Sequence, residues 1–115
     1  MIILVGFSIK SHKILSHIFC RNFKHCAPVV INKNTCEMYQ FTNQNKITII
    51  KITKRDIKIL EQYGWKFIKY DVKEIPYNAL KIHAITCVQF TKKFCHIKKI
   101  TIQTPDALFA YLKNQ

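Results

Sequence analysis

Residues 25–42, His25-Cys26-Ala27-Pro28-Val29-Val30-Ile31-Asn32-Lys33-Asn34-Thr35-Cys36-Glu37-Met38-Tyr39-Gln40-Phe41-Thr42, decide the fold. An apolar, β-branched run reaches Ile31, Asn32-Lys33-Asn34-Thr35 makes a turn, and a second run returns to Thr42, which together read as a β-hairpin. With Lys33-Asn34 as a two-residue turn, Asn32 faces Thr35. Side chains alternate along each strand, so His25 shares a face with Ala27 and Val29 and, across the ladder, with Met38, Gln40 and Thr42. Gln40 then lies diagonally from His25, two places from the direct partner Thr42. Glu37 falls on the other face, and a one-residue slip would bring Glu37 or Tyr39 to Gln40's place. Pro28 has no N–H to give a ladder, which predicts a bulge or an edge position.

Upstream, residues 2–5 read as a short buried strand. Ser11 caps a helix to Asn22 with Ile14, Leu15, Ile18 and Phe19 on one face, leaving His12 and His17 off that stripe. Downstream, a turn at 43–45 precedes a strand over 46–52. Thr53 and Asp56 form a variant capping box, with Ile57, Leu60 and Tyr63 facing inward and Gly64 ending the helix. Residues 65–72 read as the fourth strand of a meander. Pro76 marks a loop in 73–85, with a short strand near Ile82. Thr86-Cys87-Val88-Gln89 is a capping box opening a helix over 86–96. Thr104-Pro105-Asp106 opens the last helix, whose buried stripe is Leu108, Phe109 and Leu112. The sum is an α+β chain, a single domain over 1–115 with an antiparallel sheet packed against helices.

The chemistry centres on Cys87. Its place in a first helical turn sets unpaired backbone N–H groups and the positive end of the helix dipole beside the sulfur. A thiol there ionises below its usual value of about 8.5. The same N–H groups face an oxyanion once a thiolate attacks a carbonyl. A nucleophile needs a base, and the base an orienter. His25 and Gln40, on one face of the hairpin, supply that pair. His83, in the loop, is a rival base. His96, nine residues along the helix from Cys87, stands about 13 Å away at 1.5 Å per residue and cannot reach. Cys95 reads as core, and Trp65, Phe67 and Tyr70 as sheet packing.

Composition narrows the remaining classes. With 49% hydrophobic and 12% aromatic residues among 115, the chain can bury a core. Its five cysteines lack framework spacing, so a reducing compartment would keep them as thiols. No C-x-x-C or H-x₃₋₅-H pair points to zinc, and no cofactor is implied. The net charge of +13 favours anionic partners, including nucleic acid or a membrane face. Yet the lysines are spread along the chain, and basic runs stop at two residues, as at Lys54-Arg55. The apolar start Met1–Val5 is shorter than the core of a signal peptide, about 7–15 residues. No segment approaches the ~20 apolar residues of a membrane span. A cytoplasmic location is the expectation.

Several of these stretches also resemble a known superfamily. Lys24-His25-Cys26-Ala27-Pro28-Val29-Val30-Ile31 is similar to the S-H-V-G-I-V-type strand of circularly permuted papain-like proteins, the NlpC-like and lecithin-retinol-acyltransferase-like group. Met38-Tyr39-Gln40-Phe41 resembles their V-Y-E-A strand, Lys46-Ile47-Thr48-Ile49 the strand after it, and Thr86-Cys87-Val88-Gln89-Phe90 their N-C-x-x-F helix start. A tail like Ile97…Thr104-Pro105-Asp106-Ala107-Leu108 follows that helix in phage-type members. The resemblance runs in order over residues 7–112 through short motifs. It implies a permuted papain-like fold with the catalytic helix near the C-terminus, Cys87 as nucleophile, His25 as base and Gln40 as orienter. It also implies amide or ester hydrolysis, or acyl transfer, on a peptide, cell-wall or lipid acyl substrate. A phage-type origin would place the protein with the virion. Two positions depart from the pattern: Lys24 stands where Ser is common, and Gln40 where many relatives have Glu or His. The alternatives are an inactive phage-type accessory or structural protein on the same fold, and a basic nucleic-acid-binding module.

Overall fold

A computed structural model describes residues 1–9, 23–42 and 46–115. The expected Ser11–Asn22 helix, with His12, His17 and Cys20, and the turn at 43–45 lie outside the described residues. The described elements are β1 (Ile2–Ser8), β2 (His25–Asn32), β3 (Thr35–Phe41), β4 (Ile47–Thr53), α1 (Lys54–Gln62), β5 (Lys66–Asp71), a 3-10 turn (Ala79–Lys81), α2 (Cys87–Phe94) and α3 (Pro105–Lys113). Among the described residues the architecture is α+β, a five-stranded antiparallel sheet with three α-helices.

The hairpin register is the expected one, with Asn32 opposite Thr35 and Val29 opposite Met38, and Lys33 takes the positive φ of 42° that the tight turn needs. Two expectations about strand order need correction. β5 does not extend the meander: it crosses the sheet to pair with β1, giving the order β4-β3-β2-β1-β5. The reason is α1, which packs Ile57 and Leu60 over Ala27, Val29, Cys36 and Met38 on one face of the sheet and so carries the chain back across β3 and β2. Pro28 lies in a central strand rather than at an edge. The β2–β1 ladder runs past it to Ser8↔His25, whereas the β2–β3 ladder ends at Val29↔Met38. Beyond Pro28, β2 and β3 are no longer paired residue by residue.

Both faces of the sheet are covered. Ile3, Val5, Phe7, Cys26 and Val30 pack against Val88, Phe90 and Phe94 of α2 and Leu108 and Leu112 of α3. Phe109 meets the ring of Phe7 edge-on at 5.2 Å. On the other face, α1 opens on the capping box expected of Thr53 and Asp56, with both reciprocal bonds made. Gly64 follows at φ 97°, the left-handed value at which a helix commonly stops. Tyr63, expected inward, is exposed because it is the C-cap residue and points past the last turn. No strand forms near Ile82, where the 3-10 turn stands instead. α2 stops at Phe94, short of the expected residue 96, because His96 turns left-handed at φ 59°.

Candidate active site

Cys87 is the first residue of α2. Thr86 is the N-cap, its hydroxyl oxygen accepting the Gln89 N–H at 3.0 Å. The expected box closes differently: the Gln89 side-chain Oε1 accepts from Ile85 N–H at 3.1 Å rather than from the cap residue itself. The loop before Cys87 is thereby fastened to its helix.

His25 begins β2, and the backbone just before it is pinned. Lys24 N–H donates to the Ser8 carbonyl oxygen at 2.7 Å. Phe23 N–H donates to Asp106 Oδ1 at 2.9 Å, which ties the approach to β2 to the first turn of α3. Ser8, buried, faces His25 across the β1–β2 ladder. The His25 Nε2–H donates to Gln40 Oε1 at 2.5 Å, and the Gln40 amide N–H reaches Met38 Sδ at 3.0 Å. An imidazole whose Nε2 carries the proton presents a lone pair at Nδ1. Trp65 stands edge-on to the imidazole, ring centroids 6.3 Å apart and planes at 85°.

The His25 side chain also hydrogen-bonds the Cys87 sulfur. The sulfur takes two further bonds, from the thiol and from the backbone N–H of Cys26. Successive side chains of a strand point to opposite faces. A sulfur bonded by both His25 and Cys26 therefore sits over the start of β2, where the helix N-terminus meets the strand. The Cys87 thiol is held well below its ordinary pKa, first by the bond from the Cys26 thiol and then by the hydrogen bond and charge of His25. These outweigh burial, which pushes the other way. Cys26 moves oppositely: burial raises it, and the neighbouring Cys87 raises it further. The Cys26 sulfur also contacts the Thr91 hydroxyl at 3.5 Å.

All three residues singled out by sequence are thus brought together, Gln40 to His25 and His25 to Cys87. Glu37, the alternative to Gln40, faces Val30 in the ladder and accepts from Asn32 Nδ2 at 3.2 Å. His83 is exposed, with its carbonyl oxygen receiving the Lys93 ammonium. His96 sits beyond the far end of α2, its ring against the Glu74 carbonyl oxygen. Cys26 and Trp65 are the members that sequence reading missed. Cys26 was legible in principle, since the residue after His25 must point to the opposite face, the one a cysteine-bearing helix covers.

No model of a known protein family matches the chain, and neither does any curated protein or any solved structure.

The surroundings are strongly basic. From Ile75 to Pro105 the chain has five lysines and no acidic residue. An open cleft on α2 is lined by Gln89, Lys92, Lys93, Ile97 and Lys98. Among the described residues, no three His, Cys, Asp or Glu side chains group as a metal site would require, and no helix is long and apolar enough to cross a membrane.

Proposed function

We propose that this chain is a cysteine hydrolase or acyltransferase on a permuted papain-like fold, working through a Cys87 thiolate, a His25 imidazolium and the Gln40 amide. The observation that carries the reading is the relay itself: Gln40 Oε1 holds the proton on His25 Nε2, and the same ring hydrogen-bonds the sulfur at the mouth of α2. The order along the chain supports it too, with a histidine strand, a polar residue on the next strand and then a cysteine helix. The contact weighs against the inactive accessory reading, which needed His25 and Cys87 apart or blocked.

The mechanism follows from the geometry. In the resting pair the proton is on the imidazole and the charge on sulfur. The thiolate attacks an amide or ester carbonyl carbon, and the oxygen takes the negative charge beside the free N–H groups of the first turn of α2. Collapse expels the amine or alcohol, which receives the His25 proton, and leaves a thioester on Cys87. Water, or another acceptor, gives its proton to His25, attacks the thioester and restores the thiolate. The lysines around α2 suit an acyl donor bearing negative charge.

The test is alkylation by iodoacetamide across pH, with each cysteine followed by mass spectrometry. Cys87 is expected to label at least about tenfold faster than Cys36 or Cys95 near pH 6. His25→Ala should abolish most of that advantage. Equal rates at Cys87 and Cys95, or indifference to His25, would remove the enzyme reading.

A further inference from the structure

The proposed acyl chemistry leaves one thiol of the site unused. Cys26 is 1% exposed, yet it does not pack merely as a small apolar group. Its sulfur lies against Thr91 Oγ1 on α2 and bonds the Cys87 sulfur. Cys87 and Thr91 are four residues apart, hence one above the other on the same helix face. The Cys26 side chain therefore enters between them from β2, with its sulfur next to a sulfur that carries charge. A reactive thiolate with a second thiol already in contact is the arrangement that converts oxidation into a disulfide.

We infer that Cys87 and Cys26 form a peroxide-sensing dithiol, in which a hydroperoxide oxidises Cys87 and Cys26 closes a reversible disulfide. The inference rests on the same Cys87 thiolate as the proposed hydrolase but on none of its acyl chemistry. In the first step the thiolate attacks the distal oxygen of the hydroperoxide. The O–O bond breaks, a proton is taken up, and Cys87 sulfenic acid forms with release of an alcohol or water. In the second step the Cys26 sulfur attacks the sulfenic sulfur. An S–S bond forms, the S–O bond breaks, and the Cys26 proton leaves with the hydroxyl as water. Two electrons have passed from the two thiols to the peroxide. A disulfide needs the two sulfurs at ~2.05 Å, and the Cys26 sulfur already lies against α2, 3.5 Å from the Thr91 hydroxyl one helical turn from Cys87. The product has no thiolate, so the hydrolase is off until a dithiol reductant reverses it. It also has no sulfenic acid left to over-oxidise.

The sequence makes the test clean. Trypsin places Cys20, Cys26, Cys36, Cys87 and Cys95 in five separate peptides, with Cys26 in residues 25–33 and Cys87 in 82–92. The reduced full chain is treated with hydrogen peroxide, blocked, digested and weighed, alongside Cys26→Ser and Cys26→Ala. The expected result is a loss of about 2 Da, a 25–33/82–92 linked pair, and return of both thiols with dithiothreitol. In both variants Cys87 should instead go on to sulfinic acid, a gain of about 32 Da, whereas in the unaltered chain it stops at the disulfide. A linkage of Cys26 to Cys95, or sulfinic acid forming on Cys87 at the same rate with and without Cys26, overturns the inference. Absence of the disulfide in protein whose Cys87 still alkylates rapidly overturns it while leaving the hydrolase standing. The disulfide in protein whose Cys87 never acylates supports it while removing the hydrolase.

Discussion

In the proposed relay Gln40 is a neutral orienter whose effect passes entirely through His25. Because its side-chain carbonyl oxygen accepts the Nε2 proton, Gln40 holds the ring in one orientation. Gln40→Leu keeps the bulk and deletes the acceptor. It is expected to slow alkylation of Cys87 at pH 6 by about tenfold or more, while Gln40→Glu, which retains an acceptor, should keep most of the rate. The comparison separates orientation from packing, since both variants fill the space beside Met38. On the other side of the ring, Trp65 limits how far the imidazole can swing, and its own position depends on a glycine one strand away. A Cβ on Gly6 would come within 2.7 Å of Phe67 Cε1 and 3.0 Å of Trp65 Cζ3, and those two rings are stacked at 5.7 Å. Gly6→Ala should therefore displace the pair and disturb His25. Its mark would be a changed chemical shift of the His25 ring protons together with a loss of stability.

Three helices start on threonine caps, and one of them, α2, carries Cys87. Thr53→Ala and Thr86→Ala should each cost about 1 kcal/mol in denaturant unfolding. Thr86→Ala should in addition slow alkylation of Cys87, because fraying of α2 removes the N–H groups and dipole that favour the thiolate, whereas Thr53→Ala should leave the labelling rate unchanged. The caps were also what made the helices readable. A hydroxyl bonding the N–H three residues on is encoded locally, so Thr53, Thr86 and Thr104 announced their helices, and the alternation in 25–42 announced the register. The pairing of β5 with β1 was not readable, because it depends on how far α1 carries the chain over the sheet. The role of Cys26 was hidden for a similar reason. Its place on β2 was plain, but its partner Cys87 arrives from sixty-one positions downstream through α2. Gln40 was legible only so long as the two-residue turn at Lys33-Asn34 held, and there the register decided against Glu37.

At the scale of the whole molecule, the buried thiols set how stability responds to alkali. Burial raises Cys95 to about 12, so the folded state keeps its proton where an unfolded chain would lose it. Stability from this source is fully present below the ordinary thiol value of about 8.5 and declines as pH rises toward the folded value. Cys26, also raised, acts in the same direction, while Cys87, lowered, contributes stability that is present at high pH and lost as pH falls. The melting temperature should thus drop between about pH 8.5 and pH 10.5. Cys95→Ala, less stable throughout, should drop by less over that interval as followed by circular dichroism. The strand order carries a consequence in time as well. β1 to β4 are neighbours in both sequence and space, and α1 follows directly to cover β2 and β3, whereas β5 and then Cys87 come later. During synthesis the His25 imidazole and its Gln40 partner are both made well before Cys87 is translated. The newborn chain therefore cannot set Cys87 beside His25 until α2 docks on the sheet.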